Sequence, residues 1–316
     1  MKVDKNTFTG SAALFGAALI WGLAFSAQKA GMKYCTPELF TSMRSFIGAA
    51  VLLPLIVGIS RCSGKPVIPA TASERKTLLT GGVCCGAILA AASTTQQYGL
   101  IYSSAGKAGF ITSLYIVFVP LAGVFSRSSR VGWLHWFAVT LALSGSYLLC
   151  SPADGALNAG DIWLLACAIL FAGHILVIGC FAPKTDCVKM SCIQFFTAGV
   201  LTAAVAVFRG YLPDFQMLKS VLFPLLYCGI CSSGIAFTLQ VVSQRYITGA
   251  TASVIMSMES VISVVGGYLF LSEKLSCREL VGCAIILAAV VAAQLPAATG
   301  RKITRPRYGQ EPSAEL

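Results

Sequence analysis

Ten apolar runs of about 20 residues fill this chain, with only short polar stretches between them. They lie at about 10–27, 39–60, 78–98, 105–125, 133–150, 160–180, 191–208, 219–241, 248–271 and 277–295. At about 1.5 Å of rise per residue, each can cross a hydrocarbon core of roughly 30 Å. Inside lipid every backbone N–H and C=O must find its partner within the segment or in a closed barrel, so runs of this length fold as helices. Charged residues are 11% of the 316, against about 25% in a soluble domain, and mean hydropathy is +0.79. The sequence therefore predicts an all-α integral membrane protein of ten transmembrane helices, with little room for a soluble domain.

A net charge of +11 is also a feature of nucleic-acid binders, but the lysines and arginines sit in short loops and a tail, where membrane topology accounts for them. With the first residues in the cytoplasm, fifteen of the 23 basic residues fall on that side, four of them in the tail, and seven fall opposite, while Arg44 is left within a span. That bias places both termini in the cytoplasm. Residues 297–316, with Arg301, Lys302, Arg305 and Arg307, read as a basic, disordered tail.

The two halves repeat. A shift of 144 pairs Gln96 with Gln240, Tyr102 with Tyr246, Ser113 with Ser257, Val117 with Val261 and Gly123 with Gly267. A shift of 150 pairs Trp21 with Phe171, Phe46 with Phe196 and Arg44 with Gln194. One such match carries no weight in so apolar a chain, but a register held over three helices does. Each half has an odd number of spans, five, so the second enters the membrane inverted, which is a transporter architecture with its site near the midplane. The expected units are 10–150 and 160–296.

The ninth run holds one carboxylate, Glu259, about 17 Å in from the start of its span. An acid at that depth costs about 2.5–3.5 kcal/mol on insertion scales, and it faces a bundle interior or a wet cavity. Its bland role is a structural acid bonded to a neighbouring helix. Met258-Glu259-Ser260-Val261, then Gly266-Gly267, then Leu271-Ser272-Glu273-Lys274-Leu275, resembles the second-repeat signature of the EamA-type family in the drug/metabolite transporter superfamily. The resemblance covers essentially the whole chain as two repeats. It implies the inverted ten-helix arrangement, cytoplasmic termini and carriage of a small solute. Ser260 stands where that signature has proline, which puts in question any helix distortion the proline provides.

Other polar groups deep in the spans are few. Tyr115 is the repeat mate of Glu259 and precedes Pro120, a candidate kink beside a cavity. Arg44 either snorkels to the interface or points inward to pair with Glu259 or with a solute carboxylate. Gln194, its mate, is polar and uncharged. His174 suits a proton relay or a backbone bond. Trp21 lies deep enough to line a pathway, whereas Trp133, Trp136 and Trp163 suit an interfacial belt. Gln96 and Gln240 are explained by interhelical bonds of roughly 1 kcal/mol each. The Gly82–Gly86 pair has GxxxG spacing, for packing within the chain or between copies.

Thirteen cysteines, mostly inside apolar runs, behave as small hydrophobes, although Cys228 and Cys231 have redox-like spacing. No phosphate-binding loop, metal-ligand cluster or nucleophile elbow appears, so neither ATP, a cofactor nor a metal is expected. The expected function is a secondary transporter, not an enzyme, exporting an amino acid or related metabolite across the plasma membrane. Protons or a counter-solute are candidate coupling partners; the lipid bilayer surrounds it, and nucleic acid is not a partner. The alternatives are a nucleotide-sugar or sugar-phosphate carrier using Arg44, Lys29 or Lys107, and a thiol oxidoreductase using Cys228 and Cys231. Reporters fused after Leu316 and within 127–131 are expected to read cytoplasmic. An extracellular C-terminus would overturn the inverted repeat.

Overall fold

In the computed structural model, residues 5–64, 66–125, 132–149, 158–271 and 276–294 are described, and among them every regular element is helical. Five segments form the first half. They are α1 (Lys5–Gly31), α2 (Pro37–Ser63), α3 (Ala72–Tyr102), the pair α4 (Ala105–Ser113) and α5 (Tyr115–Phe125), and α6 (Trp133–Leu149). The second half follows suit. It contains α7 (Ala159–Phe181), α8 (Cys187–Phe208), a composite of α9 (Phe215–Leu226), a π-helical stretch (Tyr227–Phe237) and α10 (Thr238–Ser243), then α11 (Gly249–Met256) with α12 (Met258–Leu271), and α13 (Cys277–Gln294). Eight of these segments are long and apolar enough to span a membrane, and the apolar parts of α6 and α13, Trp136–Leu148 and Leu280–Ala292, are shorter. The expected tail lies outside the described residues, as do Ser272–Leu275 of the family-like signature.

The ninth span is not one continuous helix. It breaks at Ser257, and the fourth span breaks at Leu114, one residue from the equivalent place. Pro120 sits inside α5, so it is not the break. Serine hydroxyls lie at the interruptions: Ser113 Oγ donates to Phe110 O at 2.7 Å, and Ser257 Oγ donates to Val254 O at 2.7 Å. A hydroxyl competing for a helix carbonyl loosens the ladder at that turn. Ser260 in place of proline therefore does not prevent a break. The eighth span is also irregular: its π-helical stretch begins three residues after Pro224 and runs through small residues.

The inverted symmetry is visible in individual bonds. Ser42 Oγ donates to Gly199 O at 3.1 Å, and Cys192 Sγ donates to Ala49 O at 3.6 Å. Each bond is the other's image under the shift of 150. Phe46 meets its own mate Phe196 edge-on, with ring centres 6.1 Å apart. Residues touch their repeat mates only near a two-fold axis, so the α2–α8 contact lies on it. The GxxxG pair is used inside the chain, since a β-carbon on Gly82 or Gly86 would collide with Ile193 or with Gln194 O.

The two ends of the bundle are not equivalent. At the end where α1 finishes, Glu38 is buried, accepts from Arg209 Nη1 at 2.9 Å and accepts a bond from Tyr98. Tyr98 stacks on Trp163, and Lys107 pairs with Asp161 at 2.8 Å. These contacts tie both halves together. The repeat mates of Glu38, Tyr98 and Arg209 are Val188, Val242 and Ile59, and at the opposite end they line an open groove of about 1430 Å³. There Lys189 Nζ donates to Pro66 O and Arg245 Nη2 to Thr185 O, both at 2.9 Å, and Lys189 also pairs with Asp186 at 3.7 Å.

Close helix contact at the centre of the bundle rests on glycine: a β-carbon on Gly22 would stand 2.3 Å from Ile262 Cβ and 2.9 Å from Glu259 O. Gly22→Ala is therefore expected to cost about 1–3 kcal/mol, the usual penalty of overpacking. Gly16→Ala meets nothing within 4 Å and is expected to be neutral or stabilising by up to about 1 kcal/mol. Thermal unfolding in detergent distinguishes the two. Glu38→Gln is expected to speed amide exchange around residues 96–104 and leave peptides at the grooved end unchanged, as read by hydrogen-exchange mass spectrometry.

Candidate functional site

Both helix breaks face one central cavity. It measures about 450 Å³ and is lined from both halves, by Trp21, Phe25 and Gln28 of α1, Arg44 of α2 and Gln96 of α3. Thr112 and Tyr115 enter from the fourth span, and Phe171 and Ile175 from α7. Ser232, Phe237 and Gln240 come from the irregular eighth span, and Met256 and Glu259 from the ninth.

Tyr115 and Glu259 open α5 and α12, so each sits at the first turn of a half-helix. Tyr115 donates its hydroxyl hydrogen to Glu259 Oε1 at 2.9 Å, and both side chains are buried. These are repeat mates, so the site straddles the two-fold axis. Discontinuous helices whose ends meet at a midplane cavity are where transporters hold solutes.

Arg44 is 2% exposed and points inward, which rules out snorkelling. It does not pair with Glu259. Its Nη1 donates to Gln28 Oε1 at 3.0 Å and its Nη2 to Ser93 Oγ at 2.8 Å, while Nε has no hydrogen-bond partner. Gln97 Nε2 donates to the same Gln28 oxygen, which fixes the amide's orientation. Gln194, its mate, bonds through Oε1 to His174 Nε2 at 3.1 Å, and both are fully buried. Neither lines the cavity. They stand behind Phe171 and Phe237, whose rings contact His174. Trp21 does line it, packed edge-on against Phe237 at 4.7 Å with its indole N–H donated to Ser232 O at 3.4 Å.

Of the six residues singled out from the sequence, Glu259, Tyr115, Arg44 and Trp21 meet at the cavity, and His174 and Gln194 form a pair behind it. Gln96 and Gln240 were assigned to interhelical bonds, but both face the cavity, and Gln240 Oε1 has no partner. The repeat did signal them, as identical polar mates. Gln28 carried no periodic signal because its mate is Ile178. Phe237 was hidden as one aromatic in an apolar run. Lys29 donates to Leu100 O at 2.7 Å, and Lys107 is paired with Asp161, so both belong to the tied end. Cys228 is buried, Cys231 is half-buried, and both are free thiols.

A family model described as the EamA-like transporter family matches residues 8–151 and again 158–293. An uncharacterized transporter of Archaeoglobus fulgidus is 29% identical, over 88% of this chain and 83% of its own. The uncharacterized transporter YoaV of Bacillus subtilis is 21% identical, over 86% and 92%. A chloroplastic WAT1-related protein of Arabidopsis thaliana is 24% identical, over 92% and 71%. One crystal structure shares the fold with a TM-score of 0.72 at 18% identity, covering 90% of this chain and 96% of that one. With two matches that together span nearly its whole length, one per inverted half, the chain belongs to the EamA-like transporter family.

Proposed function

We propose that the protein is a plasma-membrane secondary transporter that exports a small organic metabolite of about the size of an amino acid by alternating access, with both termini in the cytoplasm. The observation that carries this reading is the Tyr115–Glu259 bond, in which two repeat mates meet inside a central cavity at the ends of two broken helices. Rocking one repeat against the other about that axis exposes the cavity to each side in turn. The unequal ends support the same reading. With the N-terminus in the cytoplasm, the ion-paired end faces outward and the grooved end faces the cytoplasm, one of the two states such a cycle requires.

Glu259, Tyr115, Arg44 and Trp21 are assigned direct contact with the solute. His174 and Gln194 are assigned to bracing the aromatic wall from behind. Glu259 is the group whose occupancy changes in the cycle: a proton or a solute N–H takes the place of the Tyr115 hydroxyl, and a ligand that prefers one state shifts the equilibrium. The nucleotide-sugar and sugar-phosphate alternative loses two of its three cations, since Lys29 and Lys107 are engaged at the tied end.

The test is Glu259→Gln, which keeps the shape and removes the charge. Purified protein in vesicles is expected to keep near-normal abundance and thermal stability while transport falls at least tenfold or loses its dependence on pH. Normal flux with a normal pH profile would return Glu259 to a structural role.

A further inference from the structure

The buried glutamines of this chain are bonded, with two exceptions that are repeat mates of each other. Gln28, Gln97, Gln194 and Gln244 are at most 3% exposed, and each is held by a hydrogen bond to a side chain or a carbonyl. Gln96 and Gln240 are 6% and 2% exposed, yet among the described residues neither side chain has a hydrogen-bond partner. Both line the central cavity. A buried amide left unpaired costs stability that a leucine in its place would not. The same cost at two mate positions points to a partner that comes and goes.

Their placement along the cavity is definite. Helix α3 runs toward the tied end, and Gln96 lies two residues before Tyr98, which bonds Glu38 there. Helix α10 runs toward the groove, and Gln240 lies two residues before Val242, which lines it. The two amides therefore stand at opposite ends of the cavity, one below each mouth. Other mates that line the cavity from both halves differ: Phe25 corresponds to Ile175, and Thr112 to Met256. Gln96 and Gln240 are identical. The two states of an inverted repeat are related by exchanging the halves, so the surroundings of one glutamine become those of the other when the ends swap. An amide carries an acceptor and two N–H donors but no charge, so it can hold a polar group of either sign.

We infer that Gln96 and Gln240 are a matched pair of solute contacts, one at each mouth of the cavity, and that the solute passes from one to the other as the halves rock. This rests on the transporter reading. With the tied end shut and the groove open, Gln240 is the amide in use, and Gln96 takes its place once the ends exchange. Tyr115 and Glu259, bonded at the two-fold axis, lie between the two holds.

The test uses the full-length protein and its Gln96→Leu and Gln240→Leu variants. In detergent without solute, each variant is expected to unfold at the same temperature as the unsubstituted protein or higher, because no bond is lost and an unpaired amide is removed. Vesicles containing the protein are then loaded with the small-molecule fraction of a cell extract, and release is followed by mass spectrometry against protein-free vesicles. With a solute so released, Gln240→Leu is expected to raise KM at the grooved face by roughly tenfold, the worth of about one hydrogen bond, and to leave KM at the tied face within about twofold. Gln96→Leu is expected to do the reverse. The inference alone is overturned by a lower unfolding temperature in both variants, by normal KM values in both, or by equal changes at the two faces. No release of any solute by the unsubstituted protein overturns the transporter reading and the inference together.

Discussion

A phenol and a carboxyl group, joined by one hydrogen bond at the two-fold axis, fix much of the arrangement around them. The bond requires that the fourth and ninth spans bring equivalent residues face to face, so both helices must come to the centre of the bundle. It also requires small neighbours. Gly22 lets α1 approach the backbone at Glu259, and Gly109 packs against Ser263 on the next turn. Breaks at Leu114 and Ser257 place each side chain at a half-helix start, where backbone N–H groups lack intrahelical acceptors. Lipid forbids such irregular backbone on the bundle's outside, so the two interruptions and the cavity belong together.

Symmetry explains the scaffold, and departures from symmetry explain the site. Ser42 and Cys192 make the same bond twice. Phe46 and Phe196 meet as equals. At the cavity Gln96 and Gln240 are identical mates, but others differ: Glu259 against Tyr115, Arg44 against Gln194, Gln28 against Ile178. An inverted repeat with identical residues at each mate would present the same surface from both sides of the membrane. The differences give the cavity two unlike sides.

The span pattern was legible because hydrocarbon thickness and backbone pairing leave a long apolar run little choice. All ten runs became helical segments, within a few residues at most ends. Glu259 was legible for the same reason: a lone acid deep in a span demands a partner, although the sequence offered Arg44 and the structure supplied Tyr115. The partner of Arg44 was not legible. It depended on Gln28, three residues from the end of α1, and on Ser93, which has no periodic signature. Pro120 misled as a kink because proline is the louder signal, while the interruption falls at Leu114 beside a serine. The π-helical stretch left only a hint, Pro224 followed by small residues.

The tied end bears on how such a molecule could cycle. Glu38 is buried and holds Arg209 and Tyr98, yet Arg209 is half exposed, so water can replace the arginine without stranding it. Its mate positions are apolar: Ile59, Val188 and Val242 can close by excluding water but cannot form an ion pair. The grooved end carries charges of its own, Glu74, Lys184, Asp186, Lys189 and Arg245, with Lys189 paired to Asp186 at 3.7 Å. A pair built on a buried carboxylate at one end thus faces a solvated charge cluster at the other, and salt screens exposed charges more than buried ones. A scaffold symmetric in its helices is thus asymmetric in what holds each end.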